Sequence, residues 1–169
     1  MSNDPTVQKI FEYALNQERT GMSFFQNSID RMGVGAAVTA LRKLVEEEKK
    51  HILFIESILR DISQGNEINL TIAEDPDLAP KDYFDARARS EFLEQCVQGS
   101  MVPDVTVFNT AWLIEKDLSD FYSAMAEKTQ GAASSALTML SKWEKEHEKF
   151  FRHYRDKLSE VYAQMPWGG

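Results

Sequence analysis

Residues 41–54 read LRKLVEEEKKHILF, and residues 137–150 read LTMLSKWEKEHEKF. Aligned without a gap, Leu41, Leu44, Glu48, His51 and Phe54 fall on Leu137, Leu140, Glu144, His147 and Phe150. Steps of three and four place all five positions of each stretch on one face of an α-helix. That face is apolar at both ends and carries Glu-x-x-His in its middle. Charged residues belong on the opposite, solvated face, where Glu46 and Glu47 are expected. A glutamate and a histidine on the apolar stripe need a separate explanation.

A second pair of stretches repeats in the same way. ALNQERTGMSFF starts at Ala14 and AWLIEKDLSDFY at Ala111, which aligns Glu18 with Glu115 and Phe25 with Tyr122. The two glutamate pairs, Glu18 with Glu115 and Glu48 with Glu144, are 97 and 96 residues apart. The stripes extend through Val7, Phe11, Ala14, Glu18, Gly21, Phe25 and Ile29, and through Phe108, Ala111, Glu115, Leu118, Tyr122 and Met125. Ala37, Ile55, Ile58 and Ile62 continue the stripe around Glu48, and Phe151, Tyr154 and Leu158 the one around Glu144. Every stripe is interrupted by one glutamate.

Proline and glycine punctuate these stripes into four long helices. The first runs from Asp4-Pro5 to about Met32, and the second from about Ala36 to Ser63, with Gly65 as its stop. The third opens at Pro103-Asp104 and runs to about Thr129. Gly131 breaks the chain, and the fourth runs from about Ser134 to Gln164. The expected fold is all-α: one domain over residues 1–169, an antiparallel four-helix bundle of two hairpins, about 5–63 and 104–164. A long crossover, about 64–103, joins helices 2 and 3 and has room for a short extra helix at Asp82–Val97.

Composition narrows the function classes. A formal net charge of −8 disfavours nucleic acid and anionic membranes as partners, and no apolar run spans a bilayer. Cys96 is the only cysteine, which rules out an intrachain disulfide and a cysteine-built metal cluster. The polar start MSNDPTVQKI lacks a secretory core, so a cytoplasmic location is expected.

Four carboxylates in a bundle core repel one another and cost several kcal/mol each when unpaired. Two divalent cations would cancel them. Oxygen donors with one imidazole per metal suit iron or manganese better than a thiolate-rich zinc site. The candidate ligands are therefore Glu18, Glu48, His51, Glu115, Glu144 and His147. A single Glu-x-x-His is common in charged helices; two in register, with a stripe glutamate in each remaining helix, are far harder to reach by accident. Tyr122 lies two turns beyond Glu115 and is a candidate to donate its hydroxyl to a ligand carboxylate, or else to a carbonyl. Gly21, one turn from Glu18, leaves space for a small oxidant. Trp112 and Trp143 read as packing or edge residues, His153 as exposed, and Cys96 as a small buried residue.

At these residues, Glu18…EEEKKH…Glu115…WEKEH, the chain resembles the rubrerythrin branch of the ferritin-like superfamily over most of its length. The resemblance implies a ferritin-like bundle whose six candidates hold two iron ions, with manganese or a mixed pair as alternatives. Either Glu48 with Glu144 or Glu18 with Glu115 would bridge. It implies reaction with hydrogen peroxide or dioxygen, as a peroxidase in oxidative-stress defence, in a homodimer. The alternative is a ferroxidase and iron store of the ferritin or bacterioferritin type. Rubrerythrins usually carry a rubredoxin domain with paired CxxC motifs; these residues have none, so a separate electron donor such as a rubredoxin is expected. They often carry a further glutamate one turn after the helix-3 ligand, where this chain has Leu118.

Overall fold

The computed structural model describes residues 4–32, 36–74 and 102–164. Four long helices account for nearly all of them: α1 (Pro5–Met32), α2 (Ala36–Ser63), α3 (Val102–Lys128) and α4 (Gly131–Ala163). A 3₁₀ turn at Thr71–Glu74 follows α2. The extra helix expected at Asp82–Val97, and Cys96 with it, lies outside the described residues, as does most of the crossover. The side chains of Ala37 and Leu158 are likewise not described.

The helix ends follow local chemistry. Asp4 Oδ1 accepts the Thr6 amide at 2.8 Å and Pro5 supplies a first turn that needs no amide. At the end of α2, Gly65 takes φ 73°; its amide reaches the Ile62 carbonyl at 3.1 Å and that of Asn66 reaches Asp61 at 2.9 Å. That is the paired closure a left-handed glycine permits. Gly131 takes φ 60°. The sequence places the start of the last helix at Ser134, but α4 begins at Gly131 itself. A left-handed glycine reverses the chain without a longer loop. Ser134 Oγ then donates back to the Ala126 carbonyl of α3 at 2.8 Å.

The stripes face inward and bury two apolar clusters, one on either side of the glutamate layer. One holds Phe25, Leu41, Leu44, Phe108, Ala111, Phe151 and Tyr154. The other holds Phe11, Ala14, Ile55, Ile58, Leu118, Tyr122, Leu137 and Leu140. Which residues fall in which cluster gives the direction of each helix. α1 passes from the second cluster to the first and α2 returns, so they are antiparallel; α3 passes from the first to the second and α4 returns, so they are antiparallel too. α2 and α3 run the same way, so α3 begins at the end of the bundle opposite to where α2 finishes. α3 and α4 pack along more of their length than α1 and α2 do. Ser119 and Ser141 tie that hairpin, each hydroxyl donating to the other's carbonyl, at 3.2 and 3.0 Å. Among the described residues no helix is long and apolar enough to cross a membrane.

Candidate metal centre

All six expected residues meet between the two apolar clusters. Glu18, His51, Glu115 and Glu144 are fully buried; Glu48 keeps 1 % exposure and His147 5 %. Both imidazoles turn Nδ1 toward the carboxylates. His51 Nδ1 lies 2.6 Å from Glu144, 3.6 Å from Glu48 and 3.9 Å from Glu18. His147 Nδ1 lies 3.2 Å from both Glu48 and Glu115 and 3.4 Å from Glu144. Each histidine therefore reaches the Glu of its own turn and one from the facing Glu-x-x-His helix. One donor atom from each of Glu48, His51, Glu144 and His147 lies within 4.8 Å of the other three.

Proximity has produced one hydrogen bond among the six, between His147 Nδ1 and Glu115 Oε2 at 3.2 Å, and leaves most of the other polar atoms unpaired. Glu18 Oε2, Glu48 Oε1, Glu115 Oε1, both Glu144 oxygens and both His51 nitrogens are buried without a hydrogen-bond partner. Buried polar groups in native proteins are almost always satisfied. The carboxylate oxygens and His51 Nδ1 among them lie this close without bonding to one another and aim their lone pairs into the same gap, as donors to a shared cation do. This donor set fits a pair of hard divalent metals.

Protonation shows what the cluster does with charge in the absence of metal. Burial, then repulsion from Glu144 and Glu48, raises the Glu18 carboxyl well above its usual value. Burial, then Glu48 and Glu144, does the same to Glu115. Burial pushes Glu48 and Glu144 up as well, but the imidazoles outweigh it; Glu48 ends below the usual value and Glu144 well below. Burial lowers both histidines, and the facing carboxylates more than reverse this, so both are held well above the usual imidazole value. The carboxylates thus favour the charged imidazoles, while burial and mutual repulsion favour the neutral forms of Glu18 and Glu115, so bound protons offset part of the buried negative charge.

Other buried carboxylates differ. Glu148, 2 % exposed, faces Lys145 at 2.7 Å and accepts the Trp112 indole N–H at 3.2 Å, while the Arg155 guanidinium lies 4.1 Å over the Trp112 ring. Glu47, expected on the solvated face, is instead 3 % exposed and paired with Lys50 at 2.9 Å. A lysine one turn away snorkels over the carboxylate, which lets it sink below the rim. Glu46 is solvent-exposed as expected and pairs with Lys49. Among the described residues no lysine or arginine pairs with any of the four central glutamates.

The aromatic surroundings hold one expected contact and one unexpected. The Tyr122 hydroxyl donates to Glu18 Oε1, from a fully buried ring. Burial, then the Glu18 charge, keeps that phenol well above its usual pKa, so it stays a donor. Trp143 is not merely an edge residue. Its ring stacks on His51, with centroids 5.3 Å apart and planes 18° from parallel, and meets the edge of Phe54. That contact joins α4 to α2, and no spacing within one helix announces it. His153 is exposed, as expected. Gly21 lines an open cleft of about 360 Å³ between α1 and α3, with Tyr13, Gln17, Ile114 and Leu118, and a Cβ there would lie 3.3 Å from Ile114 Cγ2.

A rubrerythrin family model matches residues 9–155, spanning the four helices and all six central residues. The chain belongs to the rubrerythrin family. No curated protein and no solved structure matches it. Family membership and the buried Glu/His cluster together indicate a di-metal site of the kind rubrerythrins carry.

Proposed function

We propose that Glu18, Glu48, His51, Glu115, Glu144 and His147 hold two iron ions, and that the protein is a non-haem di-iron oxidoreductase that reduces hydrogen peroxide or dioxygen. The observation that carries this reading is four buried glutamates converging with two Nδ1 atoms, with no lysine or arginine among the described residues paired to them. When bound, two ferrous ions supply one electron each to the oxidant.

The chain supplies the rest. The two Glu-x-x-His turns present a carboxylate and an imidazole from one face of α2 and of α4. Glu18 and Glu115 enter from α1 and α3 and can release the protons they hold as cations arrive. Tyr122 fixes the orientation of Glu18. The two apolar clusters keep bulk water away from the oxidised site. Electrons return from a separate carrier such as a rubredoxin, and the activity serves oxidative-stress defence in the cytoplasm, in a homodimer.

Elemental analysis and stopped-flow mixing test the proposal. Two equivalents of iron per chain, and loss of the ferrous state within a turnover on mixing with peroxide, are the expected results. A metal-replete preparation without stoichiometric metal would end it. A second reading, a ferroxidase that passes oxidised iron into a store, is favoured by one feature: apolar Leu118 stands where many rubrerythrins carry a further glutamate. Size-exclusion separates the two, since storage needs a multi-subunit shell and a peroxidase does not.

A further inference from the structure

The centre is sealed. Four of the six central residues have no exposure at all. The only cysteine is Cys96, so these residues build no thiolate cluster of their own to feed it electrons. A carrier protein has to deliver them through the wall of the bundle. One side chain spans that wall in a single step. Trp143 is partly exposed, and its inner face stacks on His51. The His51 ring in turn stacks on His147, with centroids 5.3 Å apart and planes 17° from parallel. Trp143, His51 and His147 form a column of three near-parallel π-systems that runs from the surface through both imidazoles.

The internal repeat shows that this column is not a by-product of ligand symmetry. The position equivalent to Trp143 in the first half is Glu47, a buried carboxylate paired with Lys50. The first half has no aromatic counterpart of Trp143 at that position. A second aromatic series exists, from Tyr13, 51 % exposed, through Phe121 at 5.0 Å to Tyr122 at a further 5.5 Å. It needs three rings to reach Glu18, against one to reach His51, and Phe121 is hard to oxidise or reduce. His147 itself keeps only 5 % exposure.

We propose that Trp143 is the port through which a one-electron carrier protein reduces the metal centre. This rests on the di-iron reading above. Each transfer oxidises the carrier by one electron and reduces one ferric ion to ferrous; the indole bridges and is itself unchanged, with no bond made or broken.

Fluorescence measures the coupling without any turnover. In the variant Trp112→Phe/Trp167→Phe, Trp143 is the sole tryptophan. Excited indole gives an electron to a coupled ferric ion but not to redox-inert zinc. Ferric loading is expected to remove most of the Trp143 emission and zinc loading to leave most of it. Equal emission at two equivalents of either metal overturns the port. Kinetics supply the second arm, with reduced rubredoxin as the carrier and dithionite as a small reductant. Trp143→Leu is expected to lose most of the reduction rate with rubredoxin, while Trp143→Phe, which keeps a stacked ring, loses less. Dithionite is expected to reduce all three proteins at the same rate. An unchanged rubredoxin rate in Trp143→Leu, or a loss in Tyr13→Leu instead, overturns the assignment. Absence of bound metal in the unaltered protein overturns the di-iron reading and the port with it; bound metal without coupling overturns the port alone.

Discussion

The two halves of the bundle carry the same candidate ligands in different settings. Glu18, Glu48 and His51 repeat as Glu115, Glu144 and His147, and all six are buried. Around them the halves diverge. Tyr122 gives Glu18 a hydroxyl, but the equivalent Phe25 has none to give Glu115. Leu118 stands opposite Gly21 in the repeat, and Trp143 opposite Glu47. Charge explains what was kept: two dications need four carboxylates, and a loss from either half unbalances the sum. It places no such demand on the neighbours. They are free to make the two metal positions unequal, and in this chain they do.

The largest expected effect tests whether the inner pair, Glu48 and Glu144 of the Glu-x-x-His turns, and the outer pair, Glu18 and Glu115, differ as their pKa shifts imply. In the metal-free protein Glu144 faces both imidazoliums. Glu144→Leu strands those charges and is expected to cost about 3–5 kcal/mol, the penalty for breaking a buried pair from one side. Burial and the neighbouring carboxylates raise Glu115 well above its usual value and so favour its neutral form; Glu115→Gln, which keeps the shape, is expected to cost less than about 1 kcal/mol. Urea unfolding of the metal-free proteins at near-neutral pH compares them directly. Equal costs would show that the outer carboxyls are ionised too.

The pH dependence sharpens the same contrast. His51 and His147 are raised, so their contribution is fully present below pH 6.5 and is lost as pH climbs through their folded values. Glu18 and Glu115 are also raised; above 4.5 the folded state binds protons that the unfolded state has released, so rising pH again destabilises. Glu48 and Glu144 are lowered, so theirs is present above 4.5 and lost only as pH falls below it. Metal-free protein is therefore expected to melt highest in mild acid and lower as pH rises toward 9. Zinc-loaded protein is expected to do the reverse, because loading displaces about four protons, one each from His51, His147, Glu18 and Glu115. Calorimetry from pH 5 to 9, with and without zinc, reads both slopes. Parallel curves would remove the proton-for-cation exchange.

The features that charge and period control are the ones legible in the sequence. Six buried polar residues fell on the stripes because a 3.6-residue period leaves few other positions for them. Tyr122 was on a stripe as well, and structure only had to choose Glu18 over a carbonyl as its partner. What was not legible depends on contacts between helices or on reach. Trp143 lies off the stripe of α4, and its stacking on His51 is a matter of how α2 and α4 face each other. Glu47 and Glu148 belong to the charged pattern, yet Lys50 and Lys145 cover them well enough to bury them. The space inferred at Gly21 is there as a cleft between α1 and α3, but its shape is set by Ile114, a residue from another helix, which no spacing within α1 announces.

Tyr122 offers a finer probe of inequivalence. Removing a partner that orients a ligand typically costs about 10–100-fold in metal affinity. Tyr122→Phe makes the second half look like the first, and is expected to weaken one of the two metals by that factor and leave the other nearly unchanged. Calorimetric titration with zinc reads the two steps separately. Phe25→Tyr is the mirror experiment, placing a hydroxyl at the repeat position on the Glu115 side. A Tyr122→Phe protein that loses both metals equally would mean that Glu18 bridges them rather than serving one.

The smallest effect concerns Gly21 and Leu118, the repeat positions one turn past each outer glutamate. Gly21 sits mid-helix with an ordinary backbone, so alanine there should gain about 0.5–1 kcal/mol from propensity alone. The new Cβ would lie 3.3 Å from Ile114 Cγ2, close enough to demand a small retreat of that methyl. The two effects are expected to cancel nearly, leaving Gly21→Ala within a few tenths of a kcal/mol of the unaltered protein. Ile114→Leu removes the methyl at Cβ that causes the contact. In that background the same Gly21→Ala change is expected to stabilise by about 0.5–1 kcal/mol, the full propensity gain. A double-mutant cycle by urea unfolding isolates the difference. If the gain is the same with and without the Ile114 methyl, the glycine is not kept for packing against α3, and its divergence from Leu118 has some cause outside the contact between α1 and α3.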